Sequence, residues 1–347
     1  MKDNWRNNIR KKPKSFLIFL SFLLLIVVVY SATIGPVDIP FRRVLAIILS
    51  ETPFVGRWFP TYEGTERTIV VNLRLPRILL GVIVGSSLAV SGTSMQGVFK
   101  NPLASPFILG VSAGGGMGAA VGIYIGISYY LLPLFAFVTA LGTVILVFAL
   151  GRVRGKTDIA TLLLAGLAMN FLMSGLTNYI RYISPPEKEF HLRILAFMFG
   201  TLNGSIWREA IISLPIMLIG ISLVFAYSKD LNLFQMGEES AMQLGVEVER
   251  TKLIQLFTSS LLAATMVAFT GVIGFVGLMM PHAARLVVGP EHKKLIPTSA
   301  LFGGIFLVIC DSIARTMGEI PVGIVTVLLG SPFFIYLLVR NRGETGW

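Results

Sequence analysis

The sequence predicts an all-α polytopic membrane protein with about ten transmembrane helices, folded as a single domain over residues 1–347. Three observations lead to this fold class. Hydrophobic residues make up 54% of the chain and the mean hydropathy is +0.77. Charged residues make up only 14%, whereas a soluble domain has about 25%. Long stretches without charge recur along the chain. A soluble globule of this composition would leave too much apolar surface in water.

The charge-free stretches set the number of crossings, because a helix needs about 20 mainly apolar residues to span the hydrocarbon core. In chain order they are 16–32, 78–99, 101–151, 159–180, 210–228, 253–284, 295–310 and 320–339. Stretch 101–151 is long enough for two crossings with a turn. Stretch 253–284 suits one full span and one short or broken span. Segment 194–207 is too short to cross and predicts an interfacial or re-entrant piece.

The distribution of lysine and arginine predicts the orientation. Basic residues are more frequent in the segments that share a side with the N-terminus, so both termini are expected in the cytoplasm of a plasma or inner membrane. The N-terminal segment 1–15 and the polar loop 229–252 lie on that side. The first span is expected to remain as an anchor, because Tyr30 stands where a signal-peptide cleavage site needs a small residue.

The net charge of +11 fits this orientation and contact with anionic lipid. The sequence lacks the clustered basic face of a nucleic-acid-binding protein, so no nucleic-acid partner is expected. Cys310 is the only cysteine, which excludes an internal disulfide and a multi-cysteine zinc site. His191 and His292 form no metal-binding pair, and no metal site is predicted.

Two proline-containing breaks interrupt the glycine-rich spans, one running from Asn101 to Gly110 and the other from Met280 to Gly289. The residues at these breaks that we expect to lie along the translocation path are Asn101, Pro102, Ser105, Pro106, Gly110 and Pro281. A proline removes a backbone hydrogen bond, so the freed carbonyls need partners inside the protein or in a water-filled cavity. The breaks lie five crossings apart, and this odd offset predicts an inverted repeat in which spans 2–5 mirror spans 7–10.

These residues also carry a family resemblance. The segments concerned are 74–77, 96–112, 237–245, 271–285, 311–323 and 329–334. In this order and spacing, the chain resembles the permease family of ABC importers for iron–siderophores, haem and cobalamin. The resemblance implies a permease that is not itself an enzyme and holds no cofactor. It implies a dimeric pore made with a second permease subunit, two cytoplasmic ATPase subunits that bind the ATP, and an extracytoplasmic substrate-binding protein.

The resemblance also assigns roles to particular residues. Loop 229–252 corresponds to the coupling helix that docks on the ATPase, and its key residues are Gly237, Glu238, Glu239, Gln243, Leu244 and Gly245. Arg74, Arg77 and Arg315 correspond to arginines that receive acidic residues of the binding protein. Spans 5 and 10 are expected to line the pore, with Asn170 and Asn178 on span 5.

Asp311 and Arg315 are four residues apart and therefore share one face of a helix. Because charges inside a span are expensive unless they are paired, an internal ion pair is expected there, with Glu319 nearby. Residues 151–157 resemble a phosphate-binding loop, but one residue is missing between the glycines and no strand precedes them. ATP binding by this chain is therefore not expected.

Two other classes of function stay open from the sequence. A secondary transporter also uses broken helices and inverted repeats, although it would need an ionisable relay near the midplane. An intramembrane serine protease would pair Ser112, within a G-x-S-x-G motif, with His282, although that motif requires a strand–turn–helix context. The sequence does not decide which substrate is carried, or whether the pore pairs two identical chains or two paralogues.

Overall fold

The computed structural model describes residues 13–52, 56–58, 60, 62–153, 155–184 and 188–341, and these residues are almost entirely helical. The helices are α1 (Pro13–Ser31), α2 (Phe41–Ser50), α3 (Leu75–Phe99), α4 (Val111–Tyr124), α5 (Leu132–Leu150), α6 (Ile159–Ile183), α7 (Lys188–Phe199), α8 (Trp207–Ala226), α9 (Ser228–Phe234), α10 (Glu238–Gln243), α11 (Val248–Thr270), α12 (Val276–Val288), α13 (His292–Thr316) and α14 (Val322–Asn341). Strands β1 (Arg152–Val153) and β2 (Lys156–Thr157) form one antiparallel hairpin.

The all-helical membrane fold predicted from the sequence is confirmed. Among the described residues, seven helices are long and apolar enough to cross a membrane, namely α1, α3 with its N-terminal extension, α5, α6, α8, α11 and α13. The shorter helices α4, α12 and α14 bring the number to the ten that the charge-free stretches predict. Residues 1–12, which hold most of the predicted cytoplasmic N-terminal segment, lie outside the described part of the chain.

Helix α3 lies at the centre of the bundle and packs against α8, α11, α12 and α13. Its apolar segment is 89% buried, whereas that of α1 is 11% buried and lies at the periphery. Glycines allow this central position. A Cβ atom at Gly85 would overlap the backbone of Gly303 on α13, and one at Gly92 would overlap the carbonyl group of Gly277 on α12. Such close backbone approach supplies packing where lipid gives no hydrophobic drive for helix association.

The two halves of the bundle repeat one order of elements. In each half a long buried helix (α3 or α11) is followed by a break, a short helix (α4 or α12) and two further helices. Both breaks end in left-handed backbone, at Gly110 with φ 86° and at Phe275 with φ 67°. The first helix of each half packs on the third helix of the other, α3 on α13 and α11 on α5. This reciprocal packing of the two halves agrees with the predicted inverted repeat.

The segment before α3 contains structure that the charge-free stretches do not reveal. Helix α2 buries Val44 and Ile47 against Val70 and Ile78. A π-helix, Ile69–Arg74, then leads directly into α3. A π-turn adds a residue to the helical register, and this one ends at the first arginine of the 74–77 motif. The segment predicted as interfacial, 194–207, is the end of α7 and the turn that follows it.

Candidate translocation path and coupling surface

The two helix breaks meet in the core of the bundle. Pro106, at the start of a short 3₁₀-helix (Pro106–Leu109), contacts the position where a side chain of Gly277 would begin. A cavity of about 120 Å³ lies between the breaks. It is lined by Leu88, Ser105, Pro106, Phe107, Gly274, Phe275, Gly277 and Leu278. The lining carries no charged side chain, so this junction offers no carboxylate for ion coordination.

Asn170 on α6 donates to carbonyl groups at the first break. Its Nδ2 atom donates to the carbonyl oxygens of Phe107 and Ile108 at 3.3 Å each, and to that of Gly166 at 3.0 Å. The expectation that the broken helix finds polar partners inside the protein is therefore confirmed. Asn101 acts within its own turn, because its Oδ1 atom accepts from the backbone amide of Leu103 at 2.8 Å.

The other predicted path residues are spread over several surroundings. The second break was predicted at 280–289, but α12 continues through Pro281 to Val288 and the break lies before it, at 271–275. Pro281 removes one backbone hydrogen bond without ending the helix, whereas Gly271 and Phe275 have positive φ. Pro102 is half-buried in the turn after α3. Asn178 lies on the exposed side of α6, which also carries Phe171 with 71% of its surface exposed and Tyr182 with 88%. Helix α14 likewise has exposed apolar residues. Both helices predicted to line the pore thus keep one face unpacked within the single chain, although pore lining itself stays a prediction.

The predicted ion pair of Asp311 and Arg315 is confirmed and belongs to a larger buried cluster. The Asp311 carboxylate contacts Arg315 Nε at 3.1 Å through Oδ2 and Arg77 Nη2 at 2.8 Å through Oδ1. Arg77 Nε also donates to both carboxylate oxygens, at 2.9 and 3.1 Å. Glu319 reaches Arg77 Nη1 at 4.0 Å. A bidentate arginine–carboxylate pair is among the stronger charged contacts in proteins, and this one joins α3 to α13.

Two of the arginines also bind the segment after α1. Arg74 Nη1 donates to the carbonyl oxygen of Ala32 at 2.7 Å, and Arg315 Nη1 donates to that of Ile34 at 2.8 Å. Together with Arg77, they were predicted to dock a partner. Each residue is 5–7% exposed, and each guanidinium has partners within the chain. The docking role stays a prediction, and the geometry itself shows these arginines holding α1, α3 and α13 together.

Loop 229–252 folds into two short helices at the opposite end of the bundle. Helix α9 is packed inward, and its Leu231 lies against Gly97 of α3. Helix α10 is bounded by Gly237 (φ 110°) and Gly245 (φ 87°), whose left-handed backbone suits glycine and sharply turns the chain at both ends. Of the predicted coupling residues, Glu239, Gln243 and Leu244 are exposed. Glu238 faces the protein.

The residue that fixes α10 was not predicted from the sequence. Lys252 on α11 is almost fully buried, and its Nζ atom contacts Glu238 Oε2 at 2.7 Å and Glu249 Oε1 at 3.5 Å. The Glu249 carboxylate also accepts from the backbone amide of Thr157 in the β-hairpin at 2.8 Å. The i,i+3 spacing of 249 and 252 is visible in the sequence, but the contacts to α10 and to the hairpin are not.

The hairpin leads directly into α6. Asp158 caps this helix, since its carboxylate accepts from the Thr161 amide at 2.7 Å and from the Thr161 hydroxyl at 2.6 Å. These hydrogen bonds stabilise the charged carboxylate and lower the pKa of Asp158. A helix, α5, and not a strand, comes before this hairpin, so its described residues lack the strand-to-helix context of a phosphate-binding loop.

The surroundings of Ser112 differ from those of a catalytic serine. Ser112 lies in the first turn of α4, after a 3₁₀-helix and Gly110. A nucleophile elbow needs a strand before the serine, so this context does not support a serine hydrolase. Within the described residues, no group of three or more histidine, cysteine, aspartate or glutamate side chains is placed to hold a metal ion.

A multi-pass helical bundle with two broken helices meeting in its core defines a membrane transport permease. The FecCD transport family matches residues 23–340, and the chain belongs to that family. It is 41% identical over 351 residues to the cobalamin import system permease protein of Halobacterium salinarum, covering 92% of this chain and 94% of the relative. It is 37% identical to the hemin transport system permease protein of Yersinia pestis, covering 97% and 99%.

A solved structure supports the same assignment. The chain superimposes on an inward-facing conformation of a metal-chelate type ABC transporter with a TM-score of 0.82 and 32% sequence identity. The match covers 94% of this chain and 99% of the other.

Proposed function

We propose that this chain is the transmembrane permease subunit of an ATP-binding-cassette importer for a metal chelate. The substrate class is an iron–siderophore, haem or cobalamin, delivered by an extracytoplasmic binding protein. Separate cytoplasmic ATPase subunits drive transport, and the permease chain itself hydrolyses no ATP. Both termini and loop 229–252 face the cytoplasm.

The observation that carries this proposal is the exposed apolar surface of the loop around α10. Met236, Met242 and Leu244 are 66%, 54% and 59% exposed, although they lie in the most polar loop of the chain. Several large apolar side chains exposed within one polar loop are typical of a protein interaction site. Such a surface suits the docking of a separate subunit that hydrolyses ATP, and α10 is the element on which this ATPase would dock.

The uncharged lining of the central junction favours an ATP-driven importer over an ion-coupled transporter. The cavity between the two breaks is lined by apolar and small residues, and the buried charges of the Asp311 cluster lie at one end of the bundle. A secondary transporter would need an ionisable relay near the bilayer midplane. The similarity to a cobalamin permease and to a hemin permease agrees with a bulky chelate.

The remaining partners follow from the same assignment. The unpacked faces of α6 and α14 are the surfaces on which a second permease subunit, identical or paralogous, would complete the pore. Arg74, Arg77 and Arg315 lie at the end opposite α10, where the binding protein would dock. Because these arginines are buried and have carbonyl or carboxylate partners within the chain, they would act on docking by holding α1, α3 and α13 in register.

Reconstitution tests the proposal. The permease is inserted in proteoliposomes with its ATPase, and uptake of ferric siderophore, haem and cobalamin is measured with the loaded binding protein outside. We expect uptake of one chelate class that requires ATP hydrolysis. Uptake that persists without the ATPase and stops when an ion gradient is dissipated would instead identify a secondary transporter. A Ser112→Ala variant with normal uptake would exclude a role for that serine as a nucleophile.

A further inference from the structure

The β-hairpin between α5 and α6 is joined to the first turn of α11. The Glu249 carboxylate accepts from the Thr157 amide at 2.8 Å, a bond between residues that lie 92 positions apart. The hairpin is also closed on itself by the pairing of Arg152 with Thr157. It is therefore held at a fixed place relative to α11.

Lys252 extends this connection to α10. Its ammonium group lies between Glu238 of α10, at 2.7 Å, and Glu249 of α11, at 3.5 Å. The lysine side chain is 4% exposed, while the two glutamates are 34% and 36% exposed. A buried ammonium is retained only where carboxylates compensate it. One cation thus links α10, α11 and, through Glu249, the hairpin.

A hollow of about 440 Å³ separates the hairpin from α10. It is lined by Lys156, Glu238, Met242, Val246, Glu247, Val248, Glu249 and Arg250. The negative charges of its carboxylates are compensated within the loop. Glu247 pairs with Arg250 at 3.3 Å, and Glu238 and Glu249 share Lys252. Arg152 and Lys156, in contrast, are exposed along the hairpin edge.

We propose that this hairpin is a second ATPase-docking element, and that Lys252 and Glu249 hold it in register with α10. The inference rests on the proposed function. The surface it describes has a basic edge at Arg152 and Lys156 and an apolar part at Met242 and Leu244. The complementary ATPase surface carries acidic side chains opposite the hairpin and an apolar recess opposite α10.

The arrangement gives the ATPase two points of contact on different helices. A displacement of α10 acts on α11 through Lys252, and the hairpin passes the same displacement to the ends of α5 and α6. Helix α11 begins one repeat of the bundle and α6 ends the other. Movement at the docking surface would therefore reach both repeats at once.

The first experiment measures binding of the purified ATPase to the permease in lipid nanodiscs at low and high salt. Reversing the hairpin charges with Arg152→Glu and Lys156→Glu is expected to weaken binding about tenfold at low salt, since opposed charges mainly affect association. The loss should shrink at high salt because exposed charges are screened. Lys293→Glu, at another exposed cation of the same end of the bundle, should bind like the wild type.

Equal binding by the hairpin variant and the wild type would overturn the inference and leave the proposed function intact. Absence of ATPase binding by the wild type would overturn both. Failure of Lys293→Glu to bind normally would show that net charge, and not the hairpin, determines the affinity.

The second experiment tests the positioning role of Lys252 in the assembled importer. Lys252→Met should still assemble but move fewer substrate molecules per ATP hydrolysed, and Lys252→Arg should restore much of that ratio. A purely structural role would reduce the amount of complex without changing the ratio. If Lys252→Met does not assemble, Glu249→Gln weakens the same link while keeping the side chain's shape. An unchanged ratio in the assembled variant would refute the role.

Discussion

Replacing Asp311 by asparagine is expected to destabilise the protein strongly, because it removes the only acidic partner buried between Arg77 and Arg315 in the described part of the chain. The Asp311 residue is 1% exposed and contacts the two guanidiniums at 2.8 and 3.1 Å. Asparagine preserves the shape but leaves two buried cations, and breaking a buried pair in this way costs about 3–5 kcal/mol. Glu319 offsets little of this, since its carboxylate lies 4.0 Å from Arg77 and is half exposed.

Chemical denaturation of the purified permease in mixed micelles measures this loss. Glu51→Gln is a matched control, since Glu51 and Arg67 also form a close pair, at 2.6 Å, but both side chains are more than a third exposed. Exposed pairs contribute about 0–1 kcal/mol, so the control should unfold almost like the wild type. Equal losses for the two variants would refute the idea that burial determines the strength of the Asp311 cluster.

A double variant separates lost charge balance from lost packing. Asp311→Asn combined with Arg315→Met removes one uncompensated cation, and Arg77 can then pair with Glu319. The destabilisation of the double variant should be smaller than the sum of the two single values, because residues in one charged network do not act independently. A strictly additive result would show that the two side chains contribute separately.

Three further outcomes are expected. Gly92→Ala should lower the unfolding free energy by about 1–3 kcal/mol, because its methyl group would overlap the Gly277 backbone, whereas Gly142→Ala, with open space around it, should be neutral by the same denaturation. Asn170→Leu should lose about 1 kcal/mol, since it leaves the half-buried carbonyl of Ile108 without its side-chain donor. Gly245→Leu should uncouple ATP hydrolysis from uptake in proteoliposomes without preventing membrane insertion, because φ is 87° there.

The transmembrane helices could be predicted from the sequence because one local property, the spacing of charged residues, determines them. Stretch 159–180 corresponds to α6, which ends only three residues later at Ile183. The first break could be predicted for a similar reason, since prolines and glycines act on their own backbone. The second break was predicted at the wrong place, because α12 accommodates Pro281 and the chain breaks earlier, at 271–275. The pair of Asp311 and Arg315 follows from helical spacing alone.

Contacts between distant segments could not be predicted in this way. Arg77 is 234 residues away from Asp311, and periodicity within one helix gives no information on such a partner. A rim position for the arginines follows from their place at helix ends, but the segment after α1 covers them, and its carbonyl groups bind Arg74 and Arg315. The role of Lys252 was missed for the same reason, because its burial depends on how α10 folds back onto α11.

The positions of the buried charges explain how a rigid bundle can also change shape. At one end Asp311 is shared by two arginines, and at the other Lys252 is shared by two glutamates. The central junction depends on glycine contacts and on Asn170, and its cavity has no charged lining. Moving a buried charge away from its partner costs several kcal/mol, whereas sliding small residues past each other costs much less. The helices are therefore fastened at their ends, and the junction between the breaks is where a transport cycle can alter the structure at the lowest energy.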